Sequence, residues 1–476
     1  MPIRRHRARS LVASIVLATG VLGLLFLHPP EASAIPAFAR KYQTSCATCH
    51  NDFPELNDFG EAFKKSGFRF PKDDETYVKE APVLLGAKAT KEAFPNAIYP
   101  GEIPGSLPLG FRYSGFAQYN SKQPSQLGFL PRTDLFAPNT FTILAAGAFS
   151  ENLSFWIDDD ISAGGSGANG GLGDGYLKYS DLGHLFHLPK NALNIRFGQF
   201  ELDLPFTQAR TINLTPYDVF GQTAVAGTLG SANNPFNFAS PQRGVEIGGY
   251  PNNGNFEWSL AVVDGNNTDP AARDFKDVYF HLSQRFNLEG DPKVRSEVQA
   301  AGPTGPRDHT SLRFDAFGYY GRNALNMDGK LYPGFGTLHE PFYRVGGSVR
   351  YKYRNFELYG LEMFGHDANL IPGTAGSILL PAPPVNFSGG FAEAEYWIHP
   401  WLIAIMRYDL VNSPTDYYNG LSQNFSRNRY SPGLQILVRA NIKVAFEYQH
   451  RWGVPYGSAG LFFHPNGFVT GIDYVF

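Results

Sequence analysis

The sequence predicts a mainly β protein: an outer-membrane antiparallel β-barrel of about 16 strands, with a small α-helical domain at its N-terminus acting as a plug. Three observations predict this. From Gly110 onward, short segments alternate apolar and polar residues between Gly-, Pro- and Asn-rich loops. No segment after the first 34 residues is long and apolar enough for a membrane helix. The chain ends in Phe468, Thr470, Ile472, Tyr474 and Phe476, which alternate up to a terminal aromatic. With 40 Phe and 25 Tyr but only 17% charged residues, the composition suits a barrel whose outer face meets lipid. A soluble sandwich also alternates, but its segments are rarely of such uniform barrel length.

The chain begins with a basic stretch, residues 1–9, followed by the apolar run Leu11 to Leu27 and the small-x-small site Ala32-Ser33-Ala34. This reads as an export signal over residues 1–34, leaving a mature chain that starts at Ile35. An uncleaved anchor is the competing reading.

Export leads to an oxidising compartment, where two cysteines usually pair. Here the two cysteines of the chain stand in Cys46-Ala47-Thr48-Cys49-His50. In a C-x-x-C-H motif the thiols reach the two haem vinyl groups as thioethers, and the following His ligates the iron. One motif means one covalent haem c, held by Cys46 and Cys49 with His50 as the proximal iron ligand. The bland readings are a small disulfide loop or half a zinc site. A zinc site usually closes four ligands, however, and no second Cys/His cluster follows.

After the motif, Pro54 suits the first turn of a helix, and Leu56, Phe59 and Phe63 recur at helical spacing. These three side chains are the expected haem pocket. A domain over residues 35–86 is close to the size at which apolar burial alone fails to support a fold, so the haem would itself form much of its core. Residues 87–109, rich in Pro, Gly and Ala without periodicity, read as a linker.

Residues 110–476 then read as the barrel. Phe256, Trp258, Leu260 and Val262 alternate with Glu257 and Ser259; Tyr343, Val345, Val349 and Tyr351 alternate with Arg344, Ser348 and Arg350; Val444, Phe446 and Tyr448 alternate with Lys443 and Glu447. One parity faces lipid and the other the lumen. Short links at Ser150-Glu151, Pro251 to Gly254, His399-Pro400 and Ala440-Asn441 take turns with long ones at Glu201 to Gln242, Asn323 to Pro341 and His366 to Asn386. In such barrels short turns are periplasmic and long loops extracellular. The link from Asn287 to Thr310 is too long for this scheme, which leaves the count open by a hairpin.

Charges of both signs fall on the polar parity, among them Arg196, Glu246, Glu257, Asp277, Arg285, Arg313, Asp315, Arg344, Glu393, Glu395, Arg407 and Asp473. They read either as ordinary pore lining or as a wall that pairs with a mixed-charge plug. Asp158-Asp159-Asp160 reads as a solvated acidic loop, with a cation site as the sharper alternative. The cytochrome segment holds no second His and no Met, so a second protein ligand to the iron would come from the barrel. Met327 falls in a long loop, and Met363 and Met406 share parity with lipid-facing residues. His281 sits mid-strand on the polar side and is the candidate distal ligand, against a plain pore-lining role.

Ile35-Pro36-Ala37-Phe38-Ala39-Arg40-Lys41-Tyr42, the Cys46-x-x-Cys49-His50 motif, and Phe53-Pro54-x-Leu56-Asn57-x-Phe59-Gly60 with Phe63, Gly67 and Phe68 resemble the start of the fused outer-membrane monohaem cytochrome c-porin family of iron-oxidising bacteria. The block covers about 35 residues, and the signal, barrel, length and terminal Phe agree with it. The resemblance implies an electron-transfer protein with Fe(II)-oxidising activity. It would conduct electrons across the outer membrane from extracellular Fe(II) to a periplasmic soluble cytochrome or copper protein, with membrane lipid around the barrel. The alternatives are a conduit of the same build for another donor or acceptor, and a diffusion porin with a sensory haem. No P-loop and no G-x-S-x-G occurs. A net charge of −3, with no basic run after the N-terminal stretch, excludes nucleic acid as a partner.

Overall fold

The computed structural model describes residues 37–70, 74–79, 83–84, 92–96, 102–103, 108–120, 133–161, 171–206, 212–221, 238–251, 254–265, 275–288, 310–326, 337–368, 373–375, 378–380, 384–412, 427–452 and 466–476. The expected signal at residues 1–34, most of the expected linker 87–109 and Met327 lie outside the described residues.

The N-terminal segment is built from α1 (Ala37–Tyr42), a 3-10 turn at Cys46–Thr48, a two-stranded ribbon of β1 (His50–Asp52) and β2 (Glu55–Leu56), α2 (Asp58–Lys65) and α3 (Asp74–Tyr77). Two short strands, β3 (Val83–Leu84) and β4 (Glu102–Ile103), pair with each other. An aromatic cluster holds the helices together. Phe38 packs edge-on against Phe63 at 5.0 Å between centroids, Tyr42 stacks on Phe70 at 4.3 Å, and Phe59 meets Phe70 at 5.1 Å. Asp74 ties the ends of the segment together by accepting from the Tyr42 hydroxyl and from the Phe70 backbone N–H, both at 2.7 Å.

Sixteen strands then close a barrel: β5 (Leu109–Asn120), β6 (Thr133–Ala148), β7 (Leu153–Ile161), β8 (Gly171–Tyr179), β9 (Asn194–Phe200), β10 (Gln242–Gly249), β11 (Phe256–Val263), β12 (Asp277–Asn287), β13 (Ser311–Asn326), β14 (Thr337–Tyr353), β15 (Phe356–Asp367), β18 (Val385–His399), β19 (Leu402–Asn412), β20 (Arg427–Arg439), β21 (Ile442–Trp452) and β22 (Asn466–Val475). A small hairpin, β16 (Gly373–Ala375) with β17 (Ile378–Leu380), stands in the link between β15 and β18. Every neighbouring pair in the barrel is antiparallel, and β22 closes onto β5 with Tyr474 opposite Tyr113. Closure leaves no free edge, so all the strands' backbone groups can bond within the wall. The alternation is regular. On β12, Val278, Phe280 and Leu282 are exposed on the outer face, while Asp277, Tyr279, His281 and Ser283 are buried on the inner one.

The Asn287 to Thr310 link adds no strand to the barrel wall: β12 pairs directly with β13, and the Leu288 N–H donates to the Thr310 carbonyl at 2.9 Å. The strands reach into the link expected from Asn323 to Pro341: β13 runs to Asn326 and β14 starts at Thr337. Met363 is a correction. It is 0% exposed and shares the inner face of β15 with Glu357, Tyr359 and Leu361, because the parity there is set by those residues.

The described parts of the link between β9 and β10, residues 201–206, 212–221 and 238–241, lie inside the barrel, where an extracellular loop was expected. Its residues Leu202, Leu204, Phe206, Tyr217, Val219, Phe220 and Phe238 are buried in one core with inward side chains of the wall such as Phe317, Tyr319, Tyr359 and Phe391. It contains one helical turn, α4 (Asp218–Gly221). The reason is apolar content: these side chains would face water on the surface, and here they lose that contact. Polar anchors fix the segment. The Asn213 amide donates to both carboxylate oxygens of Glu393 at 2.8 Å, and Arg407 donates to the Thr215 carbonyl at 2.8 Å. Arg407 also pairs with Asp409 at 3.0 Å and Glu447 at 3.1 Å, all three buried.

Removing Arg407 would leave two buried carboxylates without their shared cation. Arg407→Ala is expected to lower the stability of the folded barrel by about 3 kcal/mol, read as an earlier midpoint in urea unfolding followed by heat-modifiable gel mobility.

Candidate functional site

The site is built around the Cys46-Ala47-Thr48-Cys49-His50 turn. Ser45 caps it, its hydroxyl accepting from the Ala47 N–H at 3.3 Å. Asn57 is the main support. Its backbone N–H donates to the Cys49 carbonyl at 2.9 Å and its amide donates to the Thr48 carbonyl at 3.1 Å. The same side chain caps α2 by accepting from the Gly60 N–H at 2.8 Å. The helix therefore begins after Asn57, not at Pro54. Leu56 is consequently off the helix, on β2 opposite His50, while Phe59 and Phe63 share the aromatic cluster. Gly60 lets α2 lie directly on the motif, since a Cβ there would sit 2.0 Å from the Cys49 carbonyl oxygen.

The donor set suits a c-type haem. Cys46 and Cys49 are not bonded to each other. Nδ1 of His50 faces the Glu55 carbonyl at 3.2 Å, so that nitrogen donates and the Nε2 lone pair is left as a ligand. Burial pushes the Cys49 thiol up to about 12 and raises the Cys46 thiol too. Burial also pulls the His50 imidazole down to about 4, outweighing its backbone hydrogen bonds, so the ring is neutral at pH 7 as ligation requires. Among the described residues, no group of three or more His, Cys, Asp or Glu side chains is arranged to hold a bare metal ion.

The segment sits in the barrel lumen toward its short-turn end, held by wall charges on many sides. Lys65 pairs with Glu257, Asp58 with Arg285 at 3.1 Å, and Glu55 with Arg350 at 2.5 Å. Lys443 donates to the Phe53 carbonyl and lies 3.9 Å from Asp52. The Arg112 guanidinium stands 5.1 Å from the centre of the Phe53 ring, and Phe68 stacks on Trp156 at 5.5 Å. The mixed-charge wall thus does pair with a mixed-charge plug. Alternation splits the Asp158-Asp159-Asp160 run: Asp158 accepts from Trp156 Nε1 at 2.7 Å and Asp160 from the Thr142 hydroxyl, while Asp159 points to the other face. The run lies on β7 and not in a solvated loop, and among the described residues it belongs to no group of three or more His, Cys, Asp or Glu side chains arranged to hold a metal ion.

His281 is not arranged as an iron ligand. It is fully buried, with Nδ1 2.9 Å from Asp203 Oδ2 and Nε2 3.2 Å from Asp315 Oδ1. Carboxylate oxygens only accept, so both ring nitrogens donate and neither offers a lone pair. Since Asp203 belongs to the in-folded link, His281 acts as a clamp between that link and the wall.

No family model matches the chain, and no curated protein matches it. Solved structures do. OmpF of Salmonella typhi, in complex with daunomycin, is 11% identical, with 77% of this chain and 97% of that chain covered and a TM-score of 0.50. An anion-selective porin from Comamonas acidovorans is 12% identical, covering 77% and 98%, at a TM-score of 0.49. The barrel has the porin fold. At this identity the likeness to OmpF speaks for the architecture alone, which agrees with the closed sixteen-strand topology.

The sequence did not point to Asn57, Gly60, Arg350 or Lys443 as supports of the site. A polar residue just before an acidic helix start and a glycine within that helix were the available signals for the first two. Gly60→Ala should force α2 off the Cys49 carbonyl and, if Cys46, Cys49 and His50 hold a haem, lower the yield of haem-loaded protein severalfold, read as Soret absorbance per chain. His281→Leu should leave the haem optical spectrum unchanged while raising hydrogen exchange across residues 200–206; a changed spectrum would restore His281 as a ligand.

Proposed function

We propose that the chain is an outer-membrane c-type cytochrome fused to its own porin-fold barrel, passing electrons from extracellular Fe(II) to a soluble cytochrome or copper protein in the periplasm. The observation that carries this reading is a C-x-x-C-H turn, with its histidine already oriented by a backbone carbonyl, held inside the lumen of a closed barrel. Cys46 and Cys49 would form the two thioethers and His50 would ligate the iron through Nε2. A haem bound there supplies a single one-electron carrier.

The chain's own residues do the rest. Asn57 and Gly60 hold the motif against α2, Glu55 orients His50, and the ion pairs from Arg285, Arg350 and Glu257 keep the segment in the lumen. The exposed apolar outer face, seen in Phe280, Leu282, Val345 and Phe364, fits a bilayer, and an export signal at residues 1–34 fits delivery to the outer membrane. Ferric iron is poorly soluble near neutral pH, so oxidation at the cell surface keeps it out of the periplasm.

The diffusion-porin alternative is less well supported. Between them, the N-terminal segment and the in-folded link place side chains from Phe38 to Phe238 inside the wall, where a diffusion pore needs open water. A conduit for a different donor or acceptor shares all of this geometry and differs in redox potential.

In liposomes with the long loops outward, Fe(II) added outside should reduce the haem and, through it, a soluble cytochrome trapped inside. Full reduction by dithionite with none by Fe(II) would remove iron as the donor and leave a conduit for another donor or acceptor.

A further inference from the structure

We propose that Glu395 carries a proton and releases it when the site on Cys46, Cys49 and His50 loses an electron, which makes the Glu393, Tyr359 and Glu395 cluster a redox-linked proton site. The redox half rests on the cytochrome reading; the proton half rests on hydrogen-bond geometry.

The Tyr359 hydroxyl lies 2.8 Å from Glu393 Oε1, 2.7 Å from Glu395 Oε1 and 3.1 Å from the Tyr217 hydroxyl. A phenol has one proton to donate, and ionised carboxylates only accept. Tyr359 can therefore serve one of the two carboxylates. Asn213 already donates to both oxygens of Glu393 at 2.8 Å, which marks Glu393 as the ionised acceptor. The contact from Tyr359 to Glu395 then needs a proton on Glu395. The run is Glu395 to Tyr359 to Glu393, each donating to the next.

Independent of that count, the second oxygen of Glu395 is buried without a hydrogen-bond partner among the described residues, and the residue is 0% exposed. A bare buried oxygen is far less costly on a neutral acid than on a carboxylate. The charged neighbours point the same way. Glu357 of β15 stands directly opposite Glu395 in the ladder, as Tyr359 does opposite Glu393. Glu55 of the N-terminal segment and Glu357 meet on one guanidinium, that of Arg350. The cations at hand are engaged elsewhere: Arg350 of β14 by Glu55 and Glu357, Lys352 near Glu357 at 3.9 Å, and Arg407 of β19 by Asp409 and Glu447.

Glu55 connects this cluster to the site. Its carbonyl accepts from His50 Nδ1 at 3.2 Å, and its carboxylate accepts from Arg350 at 2.5 Å and from the Asn51 amide at 3.1 Å. Removing one electron adds positive charge beyond His50, and in a low-dielectric interior that charge favours an ionised Glu395. The electron goes to a one-electron oxidant. The O–H bond of Glu395 breaks, its electron pair stays on the carboxylate, and the proton passes to water.

The test uses the full-length protein in detergent, with folding of each variant checked by heat-modifiable mobility. Infrared difference spectra between the reduced and oxidised forms should show the deuterium-sensitive C=O stretch of a carboxylic acid, lost in Glu395→Gln. The midpoint potential should fall as pH rises in the native protein and stay flat in Glu395→Gln. Should that variant not fold, Tyr359→Phe keeps the acid but removes its hydrogen-bond partner, and is expected to shift the band without abolishing it. A native potential independent of pH, a pH slope that survives in Glu395→Gln, or an infrared spectrum without the acid band would each overturn the proposal. A protein without haem absorbance would overturn the cytochrome reading instead, and a static infrared spectrum that still shows the acid band would leave the proton half standing.

Discussion

The rest of the structure depends on pairing charges inside a closed barrel. Sixteen strands enclose a lumen whose inward positions carry Arg344, Arg407, Arg429, Glu393, Glu395, Asp409 and others, all buried. A buried charge without a partner is strongly destabilising. Two segments that are not part of the wall help meet this demand. Residues 37–79 bring Asp52, Glu55, Asp58 and Lys65 to Lys443, Arg350, Arg285 and Glu257, while the β9 to β10 link brings Asp203, Asn213 and Asp218 to His281, Glu393 and Arg429. Lys443 touches both, donating to the Phe53 carbonyl and, at 3.4 Å, to that of Ile212. The filling is thus arranged by the wall's charges as much as by apolar packing.

This arrangement sets the chemistry of the motif. A segment of this size cannot bury much apolar surface alone, and the barrel supplies surroundings that it lacks: Trp156 against Phe68, Arg112 over Phe53, and backbone-directed bonds from Lys178 and Tyr250 to the end of α2. The ion pairs fix the segment's height and rotation in the lumen, and with them the direction in which His50 presents its free nitrogen. In this respect wall residues far from Cys46 and Cys49 in the chain are part of the site.

The strands were legible because lipid outside and charge inside impose a period of two, which Phe280, His281 and Leu282 display plainly. The motif was legible because its three residues stand at fixed spacing in the chain, and the structure keeps them together on a 3-10 turn and the start of β1. What the sequence hid was tertiary. The link after Phe200 looked like a loop because long links take turns with short ones along the barrel, and its apolar residues, among them Leu202, Phe206 and Phe220, show their purpose only against the lumen wall that buries them. Met363 was assigned to the wrong face because one outward carboxylate, Glu362, breaks the pattern of its strand. His281 was placed correctly on the inner face, but its partner Asp203 comes from that same unanticipated link. Leu56 left the expected helix because Asn57, two residues after Glu55, takes the cap.

The central claim is that this barrel holds one covalently bound haem. It is tested most directly by making the intact protein in a host with c-type haem maturation, denaturing it, and measuring haem per chain in the native protein and in a Cys46→Ala, Cys49→Ala double variant. The account predicts one haem per native chain that survives denaturation and none in the variant. A native chain that stays haem-free in a host that loads other c-type cytochromes, or a variant that keeps its full haem content, would contradict it.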